Sequence, residues 1–170
     1  EDTSNGGIST FAVALGNLAA NVISDLVGKM ADMVKGAIEV GKQFESSISN
    51  VQAISGATAD EMQLLEETAR KFGSTTQYSA AEAADALGFM ALAGWDANQS
   101  ADALGGVLNL AAASGMELAA ASDMVTDYMS AFGMQADESA YFADLLAYAQ
   151  ANANTTAAGL GEAFKNSAAN

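Results

Sequence analysis

The sequence has no histidine, no cysteine and no proline in 170 residues. Without cysteine there is no disulfide framework, and without either ligand the usual zinc sites cannot be built. A thiol nucleophile and an imidazole base are excluded as well. Lack of cysteine fits a reducing compartment. Lack of proline leaves no helix interior forced to break. Cations are scarce: six Lys plus Arg face 21 Asp plus Glu, a formal net charge of −15. Binding to nucleic acid needs cations against phosphate, so no direct nucleic-acid binding is expected. An anionic membrane surface is disfavoured on the same ground. Bulk is scarce too. The 51% hydrophobic content includes 39 alanines, and seven Phe, four Tyr and one Trp supply all the large rings. No uncharged apolar run reaches 18 residues; the best candidate, Phe11–Ile38, is interrupted by Asp25, Lys29, Asp32 and Lys35 at helical spacing, as on an amphipathic face. The chain opens without a basic n-region, so no signal peptide is read. These balances point to an acidic, alanine-rich helical protein and away from an enzyme.

What is present begins with a long periodicity. Residues 1–8 (EDTSNGGI) read as a flexible lead-in or the cut edge of a longer chain. Ser9 or Thr10 can cap a helix. Phe11, Leu15, Leu18, Val22, Leu26 and Met30 then follow at steps of three and four, continued by Met33, Ala37, Val40, Phe44, Ile48 and Val51. That spacing belongs to a coiled coil or a long amphipathic helix. The expected helix covers residues 9–55, and its stripe is a candidate packing or self-association surface. From 10 to 54 it would span about 65–70 Å at 1.5 Å per residue. Gly16, Gly28, Gly36 and Gly41 either weaken it or admit a close neighbour, and helix packing is the favoured reason.

After Gly56 the rhythm shortens, and residues 56–170 read as a module of short helices. Glycines at 56, 73, 94, 115 and 133 each close an apolar-periodic segment, where a left-handed residue ends a helix at least cost. Thr58 with Glu61 and Ser79 with Glu82 form capping boxes, and Asp96 with Gln99 approximates a third. The signals place helices near 59–72, 80–93, 97–113, 118–132 and 138–152, with a last one from Thr156 to the end. The fold class is therefore all-α, a long amphipathic helix followed by a bundle of short, Gly-punctuated helices. Ala84-Asp-Ala-Leu-Gly88 recurs as Ala101-Asp-Ala-Leu-Gly105, an echo too short in an Ala-rich chain to define a repeat.

Site chemistry is thin. Eleven carboxylates and no base lie between Lys71 and Lys165. Asp123 and Asp127 share a helix face, but no aromatic-lined cleft is legible beside them, and a solvated acidic face outweighs a catalytic pair. No calcium loop is spelled out. Gly105-Gly106 lacks the lysine of a phosphate loop. No catalytic, cofactor or metal site is assigned. Trp95, after Gly94, reads as a corner residue between two helices, with a partner-binding hot spot as the alternative. Phe72, Tyr78, Phe89, Phe132, Tyr141 and Phe142 are expected in the core, with Met90, Met116, Met124, Met129 and Met134 as gap fillers.

The order of the motifs is more specific than any one of them. Val51-Gln-Ala-Ile-Ser-Gly-Ala-Thr58 precedes Ala69-Arg-Lys-Phe-Gly-Ser-Thr-Thr76 and Ser79-Ala-Ala-Glu-Ala-Ala-Asp-Ala86. Met90-Ala-Leu-Ala-Gly-Trp95, Leu108-Asn-Leu-Ala-Ala-Ala-Ser-Gly115 and Asp123-Met-Val-Thr-Asp127 come next, then Ala131-Phe-Gly133 and Leu160-Gly-Glu-Ala-Phe-Lys165. Over residues 40–170 this series resembles the core region of phage tail tape measure proteins. The resemblance implies a fragment of a much longer virion structural protein of a long-tailed phage or prophage. Such a protein occupies the tail lumen, sets tail length during assembly and is expelled ahead of the genome.

The same resemblance implies a homo-oligomer in the lumen that meets tail tube and tail-tip proteins and tail assembly chaperones. It also implies contact with the host envelope after ejection. Its places would be the virion tail and, during assembly, the bacterial host cytoplasm. Two alternatives stay open: a muramidase-like, cell-wall-degrading tail domain, and a membrane-active helical bundle that inserts through residues 10–40.

Overall fold

The computed structural model describes the backbone of residues 4–152, 155–157, 159–161 and 163, and their side chains except at 4–23 and 26. Between residues 4 and 152 the described residues form six α-helices in order. α1 is Ser4–Ser55, α2 Ala59–Thr75, α3 Ala80–Leu92 and α4 Ala97–Ser114; α5 is Leu118–Phe132 and α6 Ser139–Asn152. A single 3-10 turn, Ala136–Glu138, precedes α6, and no strand occurs among the described residues. The all-α class and the sequence of one long helix followed by short ones agree with the expectation. α1 starts at Ser4, ahead of the expected cap at Ser9 or Thr10.

The helix starts follow the sequence signals closely. Thr58, Ser79 and Asp96 each accept a hydrogen bond from the backbone N–H three residues on. Glu61, Glu82 and Gln99 reach back to the cap amide, which completes three reciprocal capping boxes. At the 3-10 turn Glu138 Oε2 likewise accepts from the Gln135 amide at 2.8 Å, while the Glu138 amide donates to the Gln135 carbonyl. Thr156 also caps: its hydroxyl accepts from the Gly159 amide at 3.1 Å, and Leu160 N–H donates to the Thr156 carbonyl at 2.9 Å. The expected final helix continues into residues 158, 162 and 164–170, which lie outside the described residues.

Four of the five punctuating glycines, Gly56, Gly94, Gly115 and Gly133, adopt positive φ. Gly73 does not. α2 runs through it to Thr75, where the Thr76 amide still donates to the Phe72 carbonyl and the hydroxyls of Ser74, Thr75 and Thr76 add further bonds to the Lys71 and Phe72 carbonyls. A Cβ on Gly73 would lie 2.5 Å from the Ala80 nitrogen, so glycine there serves the close approach of α2 to the start of α3.

The chain divides into two compact units, Glu1–Lys42 and Gln43–Asn170. The second contains the last turns of α1 and all the later helices. α4 is its hub and packs against α2, α3, α5 and α6. Its core combines large groups with fully buried alanines. Leu65, Leu87, Leu104, Leu108, Met129 and Leu146 fill the space, while Ala69, Ala83, Ala86, Ala103 and Ala121 let helix axes approach. Both copies of the five-residue echo bury their leucine, Leu87 and Leu104, and expose their aspartate, Asp85 and Asp102.

The expectation for the rings needs correction. Phe142 is buried and Phe72 and Tyr78 pack against the core, but Phe132 is 50% and Tyr141 65% exposed. Phe132 is the last residue of α5, three positions past Met129, where the buried residues of that helix end. Tyr141 sits on the outer side of α6, one residue from buried Phe142, where a 100° step turns it to solvent. Met90, Met124 and Met129 are buried and Met116 and Met134 half-buried, as gap fillers would be.

Candidate functional site

The first unit offers an apolar helix face. Val27, Met30, Met33, Val34, Ile38 and Val40 are all more than half exposed. At 100° per residue they fall within about 160° of the α1 circumference. Asp25, Lys29, Asp32, Lys35, Glu39 and Lys42 occupy the opposite side. The Lys29–Asp25 and Lys35–Asp32 pairs, at 2.8 and 3.9 Å, are solvent-exposed and contribute little stability by themselves. A two-stranded seam needs only two positions per heptad, so this face is wider than a simple dimer requires.

Of the residues that the periodicity singles out, Met30 and Met33 are therefore uncovered. Phe11, Leu15, Leu18, Val22 and Leu26 lie on the α1 backbone, and their side chains fall outside the described residues. Phe44 and Ile48 belong to the second unit: Phe44 is 5% exposed and Ile48 packs half-buried on the core. The heptad row Met30, Ala37, Phe44, Val51 thus contains both exposed and buried members. Val27, Val34 and Ile38 were missed by the single-stripe reading; they sit beside that row and broaden the face.

Trp95 is half-buried and packs on the core at the α3–α4 corner. Gly94, at φ +90, turns the chain so that the Trp95 amide donates to the Met90 carbonyl at 3.2 Å.

The second unit is acidic at its surface. Asp85, Asp102, Asp123, Asp127 and Asp144 are all exposed, and Asp123 and Asp127 stand one turn apart on α5. Glu61 has its pKa lowered. The Thr58 backbone N–H bonded to its carboxylate is the larger cause, and the Thr58 hydroxyl adds to it. That is cap chemistry rather than acid–base machinery. Among the described residues no three of Asp, Glu, His or Cys are grouped to hold a metal ion. No described helix is long and apolar enough to cross a membrane.

The geometry defines an acidic, all-helical module whose most exposed feature is an apolar helix face rather than a pocket with reactive groups. The chain belongs to the phage-related minor tail protein family, whose sequence pattern matches residues 66–170. It is similar to a tape measure protein of Pneumococcus phage Dp-1, at 36% identity over 152 residues. That match covers 89% of this chain and 13% of the phage Dp-1 protein, so the chain spans about an eighth of its relative's length. No solved structure matches the chain.

Proposed function

We propose that this chain is a segment of a tail tape measure protein. In this reading it occupies the lumen of the tail tube, sets tail length during assembly and leaves ahead of the genome. The observation that carries the reading is the similarity to the phage Dp-1 tape measure protein along nearly the whole chain. The helical architecture supports it, because a helix converts residue number into length linearly, at 1.5 Å per residue. Proline-free α1 is the part of the chain best suited to such a ruler.

In the same reading, α1 associates with further copies through the exposed face around Met33 and Ile38, and tail tube and tail-tip proteins and assembly chaperones are the other partners. The protein resides in the virion tail and, while tails assemble, in the host cytoplasm. The acidic surface of residues 72–164 would resist adhesion to DNA moving through the same conduit.

The test is tail length. In a phage carrying this gene, in-frame removal of four heptads from α1, residues 10–37, should shorten the mean tail by about 40 Å if each residue contributes a helical rise. Tails of unchanged length, measured by electron microscopy, would overturn the ruler role for α1.

A further inference from the structure

Tyr78, Glu82, Asp85 and Phe89 fall at i, i+4, i+7 and i+11, so one face of α3 and its approach reads aromatic, acid, acid, aromatic. An open recess lies on each side of the carboxylate pair. The first, about 400 Å³, is lined by Tyr78 and Phe89 and by Met116 and Glu117 of the α4–α5 connection with Leu118 at the start of α5. The second, about 540 Å³, is lined by Gln43, Ser46 and Ser47 from the end of α1 and shares Glu82 and Asp85 with the first. Tyr78, Phe89, Met116 and Leu118 are only half-buried, so the first recess presents apolar surface to solvent.

The carboxylates around it are available. Glu82 holds the Ser79 cap with one oxygen, Oε2, while Asp85 and Glu117 have no side-chain ion pair or hydrogen bond among the described residues. No Lys or Arg between residues 71 and 165 offers a counter-charge.

We propose that this groove docks a basic amphipathic segment of a partner protein. An apolar side chain of the partner seats between Tyr78, Phe89, Met116 and Leu118. A Lys or Arg one helical turn away lies across the Glu82–Asp85 ridge, with Glu117 at the rim. The carboxylates that attract this partner repel acidic ones, which makes the groove selective by charge as well as by shape. The polar second recess, with Ser46, Ser47 and Ser79 in its lining, leaves the far side of the ridge wet and suits the solvated end of a long basic side chain.

The experiment titrates the full chain at physiological salt with a short helical peptide of leucine and lysine, and with a leucine–glutamate counterpart of the same apolar pattern. Binding is followed by fluorescence and by amide NMR shifts. The Lys peptide should saturate with shifts centred on residues 78–89 and 116–119, and the Glu peptide should not bind. The double variant Asp85→Lys, Glu117→Lys should weaken the Lys peptide by roughly tenfold or more. Asp137→Lys, Asp144→Lys changes net charge equally outside both recesses and should weaken it less than about threefold. All four positions are exposed, and far-UV circular dichroism checks that each variant keeps its helices. Equal weakening by the two double variants would mean attraction to overall charge and would overturn the site. So would shifts centred elsewhere, or no binding by the Lys peptide.

Discussion

The guanidinium of Arg70 lies over the ring of Phe44, with its central carbon 4.1 Å from the ring centroid. The contact joins the last turns of α1 to α2. Arg70 is held in place by Glu66, one turn back on α2, whose Oε1 accepts from Nη2 at 2.8 Å and from Nε at 3.1 Å. Beneath the guanidinium the ring is 5% exposed. Phe44→Ala should cost about 3 kcal/mol, because it empties a buried site. Arg70→Gln should cost about 0.5–1 kcal/mol, the range of a cation–π contact at a partly exposed site. Urea unfolding of both singles and the double gives the coupling directly. A coupling of zero would mean that the two side chains only neighbour each other.

Glycines of α4 and α1 should respond to alanine with opposite signs. A Cβ on Gly106 would lie 2.5 Å from the Ser139 carbonyl carbon, and backbone at that distance cannot swing aside. Gly106→Ala should therefore destabilise the module by about 1–3 kcal/mol, despite alanine's better helix propensity. Gly28 has nothing within 4 Å of the same position and lies on the charged side of α1. Gly28→Ala should stabilise the helix around it by about 1 kcal/mol. Thermal unfolding reads the first change, and amide exchange along residues 24–32 reads the second.

The contrast between those glycines also marks what the sequence could convey. Helix starts were legible because a capping box is local: Thr58, Ser79 and Asp96 find their partners three residues on, whatever the rest of the fold does. Left-handed stops at Gly56, Gly94, Gly115 and Gly133 are local in the same sense. Gly73 looked identical in the sequence, yet its reason is Ala80 across a helix crossing, which no periodicity encodes. The faces of α5 and α6 were illegible for a related reason. In an alanine-rich helix nearly every side is apolar, so only packing decides that Phe142 is buried while Tyr141, Leu145 and Tyr148 look outward. The groove between α3 and the α4–α5 connection joins residues about thirty apart in sequence and needed the structure to appear.

The first short helix should be sensitive to acid through its cap. Hydrogen bonds from the Thr58 amide and hydroxyl, each 2.8 Å to Glu61 Oε2, favour the ionised carboxylate and lower its pKa. A depressed carboxylate stabilises the fold above its unfolded-state value. That contribution fades as pH falls from the ordinary glutamate value, about 4.3, through the lower folded one. Glu61→Gln should therefore flatten part of the acid limb of the stability curve. Thr58→Ala should lower stability at neutral pH by about 1 kcal/mol, the usual loss for a Thr cap. Urea midpoints measured from pH 7 to pH 3 check both; an acid slope unchanged by Glu61→Gln would mean that the cap's charge does not matter.

The self-association proposed for α1 makes the sharpest demand on the exposed face. Met33 is 75% and Ile38 54% exposed, and they lie on opposite flanks of the apolar arc that contains Met30 and Val34. A carboxylate at either flank would have to be desolvated between packed helices, or the helices would have to part. Met33→Glu and Ile38→Glu should each dissociate the assembly, and a chain starting at Gln43 should sediment as a monomer. Lys35→Glu, on the charged side, should leave the mass unchanged. Because the arc spans about 160°, both flanks are expected to matter; a helix paired through one narrow seam would tolerate the change at Ile38. Sedimentation equilibrium of the four variants beside the parent decides the point. A parent that sediments as a monomer at micromolar concentrations would overturn self-association through this face.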